Sequence, residues 1–293
     1  MNKSLLNIRR GLRAVLVSGL LLATLLTAGC PYCRKVAPQE TPAPETATFY
    51  EDPRLSEVFA NLQAEHALGG AFVLYDREQN LLIGCNLTRA GARFQPASTF
   101  KILNALIAFE TGVVSSADEI LPYGGGPQPV KAWEQDMNIR EAMAMSNVPL
   151  FQGIARRIGL ERMRDYVARA VYGNAQIGGV VDNFWLKGPL AISILEQISF
   201  IDRLSRAALP FSPRSLELLR DIMPRESGPA QTIVYFKTGR ASTTRPGIGW
   251  VVGWVHKDGQ DYPFALNLDI NKDADVDLRL PLVRRILGIL KMY

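Results

Sequence analysis

Histidine is nearly absent from this 293-residue chain, which carries only His66 and His256. Two isolated imidazoles cannot supply the clustered ligands of a zinc centre. Neither accompanies a G-x-S-x-G nucleophile elbow, so a Ser-His-Asp hydrolase is disfavoured as well. Cysteine is scarce too: Cys30, Cys33 and Cys85 are the full set, and only Cys85 falls within the expected folded region. That pattern encodes no disulfide framework. Nothing in the sequence supports a Cys33–Cys85 bridge, and Cys85 reads as a small buried residue on a strand. A charge excess is missing once the front of the chain is set aside. Of the formal +5, residues 1–29 hold Lys3, Arg9, Arg10 and Arg13 and no acid, which leaves +1 for the rest. No electrostatic field favours nucleic acid as a partner.

What is present begins with a targeting segment. Basic residues up to Arg13 precede an apolar run from Ala14 to Leu26 that is too short for a stable membrane span, the pattern of an export signal over 1–29. It ends in Leu26-Thr27-Ala28-Gly29-Cys30, which resembles a bacterial lipobox and makes Cys30 the candidate for a lipid anchor. Thr27 departs from the usual leucine, and ordinary cleavage near the same point is the other reading. Residues 30–48, with prolines at 31, 38, 42 and 44, read as a flexible tether. No repeat or composition break follows, so residues 49–293 are expected to form one unit.

Apolar spacing predicts a helix over Leu55 to His66, then a hairpin of Ala71 to Tyr75 and Leu81 to Cys85. A helix follows from Ser98 to Glu110. The middle, Arg140 through Leu219, reads as helical with breaks at Ser146-Asn147, Tyr172-Gly173-Asn174, Gly188-Pro189 and Pro210. Strands return at Thr232 to Lys237, Ile248 to Lys257 and Tyr262 to Ile270, and a last helix covers Leu280 to Leu290. Strands at both ends around a helical middle predict an α/β chain of the α+β type, with one central antiparallel sheet built from both termini and flanked by helices.

Chemistry is concentrated in a few short runs. Ser98 and Lys101 lie three apart on the predicted helix and so share a face, which sets a hydroxyl nucleophile beside an amine. The helix start makes the Ser98 N–H a natural half of an oxyanion hole. S-x-x-K alone is weak, since it arises about once by chance in a chain of this length. Lys237-Thr238-Gly239 closes an apolar strand, where an ammonium, a hydroxyl and an unobstructed backbone could hold a substrate carboxylate and amide. The N–H of Arg240 could complete the oxyanion hole. Ser146, at a break between helices, offers a second hydroxyl or a helix cap.

The ordered set Ser98-Thr99-Phe100-Lys101, Ser146-Asn147-Val148, Tyr172-Gly173-Asn174, Phe184-Trp185-Leu186 and Lys237-Thr238-Gly239 resembles that of the class D β-lactamases, the oxacillinases, over about residues 50 to 293. It differs from the class A set, which has S-D-N where this chain has Ser146-Asn147-Val148. The resemblance implies a β-lactamase/transpeptidase-like fold and hydrolysis of β-lactam antibiotics through a Ser98 acyl-enzyme. Lys101, carboxylated by CO2 to N6-carboxylysine, would be general base, and Ser146 would pass the proton to the ring nitrogen. Trp185 would hold the carbamate, with Val148 and Leu186 as apolar walls. Lys237, Thr238, Gly239 and Arg240 would bind substrate, with Trp133 at the cleft edge. Arg279 is the choice for the substrate carboxylate, with Arg284 and Arg285 competing, and Tyr172-Gly173-Asn174 is read as a structural turn.

No metal or organic cofactor is implied beyond CO2 or bicarbonate. With the export signal, the resemblance places the protein in the periplasm of a Gram-negative bacterium, at the outer membrane if Cys30 is lipidated. The competing reading is a β-lactam sensor or penicillin-binding protein that is acylated without turnover. No signature of oligomeric state is present.

Overall fold

Seven strands form one sheet in the order β1-β3-β2-β9-β8-β7-β6, so its centre joins the two ends of the chain. The structure is a computed structural model that describes residues 46–229 and 231–293; the export signal, Cys30 and Cys33 lie outside them. Strand β1 (Thr48–Glu51) leads into α1 (Pro53–His66), then β2 (Gly70–Asp76), β3 (Leu81–Cys85) and the short α2 (Leu87–Gly91). A 3-10 turn over Ala97–Phe100 feeds α3 (Lys101–Glu110). A small ribbon of β4 (Ile120–Leu121) and β5 (Met137–Asn138) precedes α4 (Ile139–Ala144), α5 (Val148–Ile158), α6 (Leu160–Arg169), α7 (Phe184–Lys187), α8 (Ile194–Ser205) and α9 (Pro213–Ile222). The chain then returns through β6 (Arg225–Ser227), β7 (Ile233–Ala241), β8 (Gly247–Lys257) and β9 (Gln260–Ile270), and closes with α10 (Arg279–Ile289).

Period-two alternation sorts the sheet into two buried faces. Ala71, Val73 and Tyr75 of β2 face one core with Trp250, Val252 and Trp254 of β8, and the helices from α3 to α9 cover it. Phe72 and Leu74 face the other with Val251, Val255, Phe264 and Leu266, where α1 and α10 lie. Neither face meets water, which explains why β2 and β8 read as nearly continuous apolar runs. Helix α3 is buried from Lys101 to Phe109 and forms the axis of the helical side.

Local signals account for the helix starts. Asp52 caps α1 by accepting from Arg54 N at 2.9 Å, with Pro53 in the first turn, and Asn147 caps α5 by accepting from Leu150 N at 3.0 Å. Each such cap is worth about 1 kcal/mol. Four expectations need correction. Thr48, assigned to the tether, already belongs to β1, and β1 runs parallel to β3, so the sheet is not wholly antiparallel. Ser98 lies in the 3-10 turn rather than in α3. Lys237-Thr238-Gly239 sits inside β7, which continues to Ala241.

Candidate active site

The site is assembled where β7 meets the turn before α3. Ala97 has a φ of 48°, in the left-handed region that a residue with a Cβ seldom occupies. The turn is tied by Thr99, whose N and Oγ both donate to Pro96 O, at 3.1 and 2.8 Å. Ser98 is thereby held at 9% exposure, within reach of solvent but close to the core. Lys101, the first residue of α3, is fully buried, and its Nζ donates to Ser98 Oγ at 2.8 Å.

Three further elements close around this pair. Ser146 stands between α4 and α5 with a φ of 55°, and Lys237 Nζ donates to its Oγ at 3.0 Å and to Thr238 O at 3.0 Å. Gly239 lies against the nucleophile turn: a Cβ there would meet Pro96 O at 3.0 Å and Thr99 Cγ2 at 3.1 Å. Trp185 of α7 is buried, stacks on Phe100 with centroids 5.3 Å apart, and leaves its Nε1 without an acceptor. A buried indole N–H with no partner costs free energy, so the position fits a group that brings one.

Arg279 separates itself from its rivals. Its Nη1 donates to Gly239 O at 2.5 Å and its Nε to Val276 O at 2.7 Å, which bring it to the edge of the Lys237-Thr238-Gly239 strand. Arg284 instead pairs with Glu226, and Arg285 is exposed. Room for Arg279 comes from Gly249, where a Cβ would meet Arg279 Cδ at 2.9 Å. Gly249 was not singled out from the sequence; its place opposite Arg240 in the β7–β8 register was the available signal. The Arg240 side chain turns to Asp273. Trp133 Nε1 donates to Met145 O at 3.3 Å, next to Ser146. Val148, first in α5, and Leu186, beside Trp185, are both half-buried.

These cations repel one another. Burial, reinforced by Lys237, pushes the Lys101 amine well below its ordinary value. Burial and then the Arg279 guanidinium bring Lys237 down to about 7. Burial followed by Arg240 lowers Arg279 to about 10. Such a row favours an anionic ligand, and the shift moves the amine beside Ser98 toward the neutral form that can accept a proton.

Among the described residues no group of three or more His, Cys, Asp or Glu is placed to hold a metal, and no helix is long and apolar enough to cross a membrane. His256 pairs with Asp261 at the far end of β8, opposite Ile233, and His66 ends α1. Cys85 is buried, and burial pushes its thiol up to about 11.

Comparison with known proteins agrees with this geometry. Residues 71–288 match the family described as penicillin binding protein transpeptidase domain. The chain is 38% identical to β-lactamase OXA-5 of Pseudomonas aeruginosa over 82% of this chain and 93% of that protein. It is also 38% identical to β-lactamase OXA-48 of Klebsiella pneumoniae, over 76% and 84%. The chain belongs to the class D β-lactamases.

Solved class D β-lactamases share the fold. The class D β-lactamase YbXI from Nostoc superposes with a TM-score of 0.78 at 41% identity, covering 82% of this chain and 99% of that one. FUS-1 (OXA-85), a class D β-lactamase from Fusobacterium nucleatum subsp. polymorphum, gives 0.78 at 37%, covering 83% and 99%. The stretch 71–288 matched by the family holds the Ser98–Lys101 turn of this class D chain and its strands β3 to β9.

Proposed function

We propose that the protein hydrolyses the β-lactam amide of penicillin-type antibiotics through an acyl-enzyme on Ser98. The observation that carries this reading is the 2.8 Å contact between Ser98 Oγ and a fully buried Lys101 whose amine is driven toward neutrality. Ser98 Oγ attacks the lactam carbonyl as its proton leaves toward the Lys101 side chain, which a protonated lysine could not accept. The carbonyl oxygen, gaining charge, faces the N–H groups of Ser98 and Arg240. Ser146 gives its hydroxyl proton to the ring nitrogen as the C–N bond breaks and takes a proton from Lys237 in its place. Lys237 donates to Ser146 Oγ, so the Ser146 proton is the one free to leave. A water then adds its hydroxyl to the acyl carbon and its proton to Ser98 Oγ, which releases the acid, and the proton held on Lys101 goes back to Lys237.

Lys237 and Arg279 face the substrate carboxylate, Thr238 and Gly239 the amide edge, Val148 and Leu186 the walls around Lys101, and Trp133 the outer lip. CO2 added to the neutral Lys101 amine supplies a carbamate, which is a proton acceptor at neutral pH. The residues present fit such a group, because the free N–H of Trp185 and the neutral amine are what it needs. Export to the periplasm, with lipid on Cys30, completes the reading. Palmitate labelling that survives in a Cys30→Ala variant would remove the lipid anchor.

Purified protein mixed with a chromogenic β-lactam, with and without bicarbonate, tests the function. Steady turnover that increases with bicarbonate is expected. A single stoichiometric burst would instead identify a sensor or penicillin-binding protein.

A further inference from the structure

A buried polar chain stands behind the nucleophile turn and has no role in the steps above. Gln197 of α8 is fully buried, and its Nε2 donates to Thr99 Oγ at 2.9 Å and to Tyr172 Oη at 3.3 Å. Tyr172 Oη and Thr99 Oγ are 3.4 Å apart. The one hydroxyl proton of Thr99 goes to Pro96 O, so Thr99 Oγ only accepts from the other two. Tyr172 then has its proton for Thr99 and accepts from Gln197. Gln197 heads the chain as a pure donor.

Its own Oε1 has no hydrogen-bond partner among the described residues. An orphaned buried carbonyl destabilises a fold, so packing alone does not favour glutamine here. Ile194, Ile198 and Ile201 share the buried side of α8, where methionine would fill a similar volume. What glutamine adds is its two N–H groups, both aimed at the hydroxyls behind Ser98.

The turn needs such support. Ala97, at a φ of 48°, keeps a strained backbone only if its surroundings pin it. Gly239 lies against the turn from the β7 side, where an added Cβ would meet Pro96 O and Thr99. Gln197 and Tyr172 hold Thr99 from behind. The gap between turn and strand is the one across which Ser98 N–H and Arg240 N–H face the carbonyl oxygen. We infer that Gln197, acting through Tyr172 and Thr99, is a positioning residue that sets the spacing of Ser98 from β7 for acylation. The inference rests on the Ser98 acylation reading.

The experiment follows single-turnover labelling by a fluorescent penicillin, locates the label by mass spectrometry and records Tm in parallel. Label on Ser98 of the wild type is the starting point, and its absence there overturns the acylation reading itself, whatever Gln197 does. Gln197→Met is expected to keep or raise Tm, since the orphaned oxygen is gone, while acylation slows about tenfold to a hundredfold. The Kd of the encounter complex is expected to stay unchanged, as is its pH profile. Acylation at the wild-type rate in folded Gln197→Met overturns the inference, and so does a slowing matched by an equal rise in Kd. If that variant does not fold, Tyr172→Phe, which removes one hydroxyl and almost no volume, is expected to slow acylation in the same way. An unchanged rate in Tyr172→Phe then overturns the inference.

Discussion

Lys237 and Ser146 are separated by 91 residues of sequence, yet Lys237 Nζ donates to Ser146 Oγ across 3.0 Å. The bond crosses from β7 to the turn between α4 and α5. It makes the proton-relay hydroxyl depend on a lysine whose charge is itself marginal, because burial and Arg279 lower Lys237 to about 7.

That lowering sets a pH trend in stability. Lys237 titrates near 10.5 when unfolded and near 7 in the fold, so between those values the unfolded chain holds the extra proton. The contribution of this group to unfolding free energy therefore rises with pH from about 7 to about 10.5. Urea midpoints at several pH values should show the wild type gaining on Lys237→Met as pH rises. A flat profile over this range would mean that the folded amine stays charged.

Arg279→Gln tests the neighbouring cation. Removing that charge relieves Lys237, so the alkaline limb of kcat/KM should move to higher pH while kcat/KM at its optimum falls. Loss of one charge-assisted contact to the substrate carboxylate is expected to cost about 1.5–3 kcal/mol of binding. A pH profile that does not move would separate the two cations.

Trp185→Phe deletes the unpartnered N–H and keeps an aromatic ring against Phe100. Deacylation should slow and the bicarbonate requirement rise, whereas thermal stability should suffer only from the smaller ring. Kinetics identical to wild type with and without bicarbonate would take Trp185 out of the site.

Gly239→Ala places a methyl 3.0 Å from Pro96 O and 3.1 Å from Thr99 Cγ2. Either the turn or the strand must give way, at about 1–3 kcal/mol for overpacking. Acylation should fall steeply with the Tm. Wild-type acylation in this variant would show that the width of the gap does not govern the reaction.

Much of this arrangement was legible in the sequence because its signals are local. Extended apolar runs rich in β-branched and aromatic residues gave β2, β3, β8 and β9 to within a residue or two, and the five short motifs marked the elements that meet. What escaped was short or non-local. β1 and β6 are edge strands of four and three residues with little apolar pattern, and β1 gains its identity only by pairing with β3. Lys237 was expected at a strand end because polarity rises there, but β8 continues the pairing to Ala241. Gln197 escaped because a polar residue on a helix usually marks its wet side. Its position among Ile194, Ile198 and Ile201 was the contrary signal. Arg279 could be separated from Arg284 and Arg285 only by the register of the loop over 271–277.

The sheet has a consequence for how the protein is made. β2 is bordered by β9, with Gly70–Leu74 facing Phe264–Leu268, so an early strand waits for one of the last to be synthesised. Such long-range pairing is slow to form, and its edge stays open meanwhile. A nascent chain that carries Ser98 and Lys101 but has not yet reached residue 264 holds the nucleophile without Lys237 locked in its sheet. The site therefore cannot form until β9 is available to the sheet. A premature stop ahead of β9 should give an inert, aggregation-prone fragment rather than a weak enzyme.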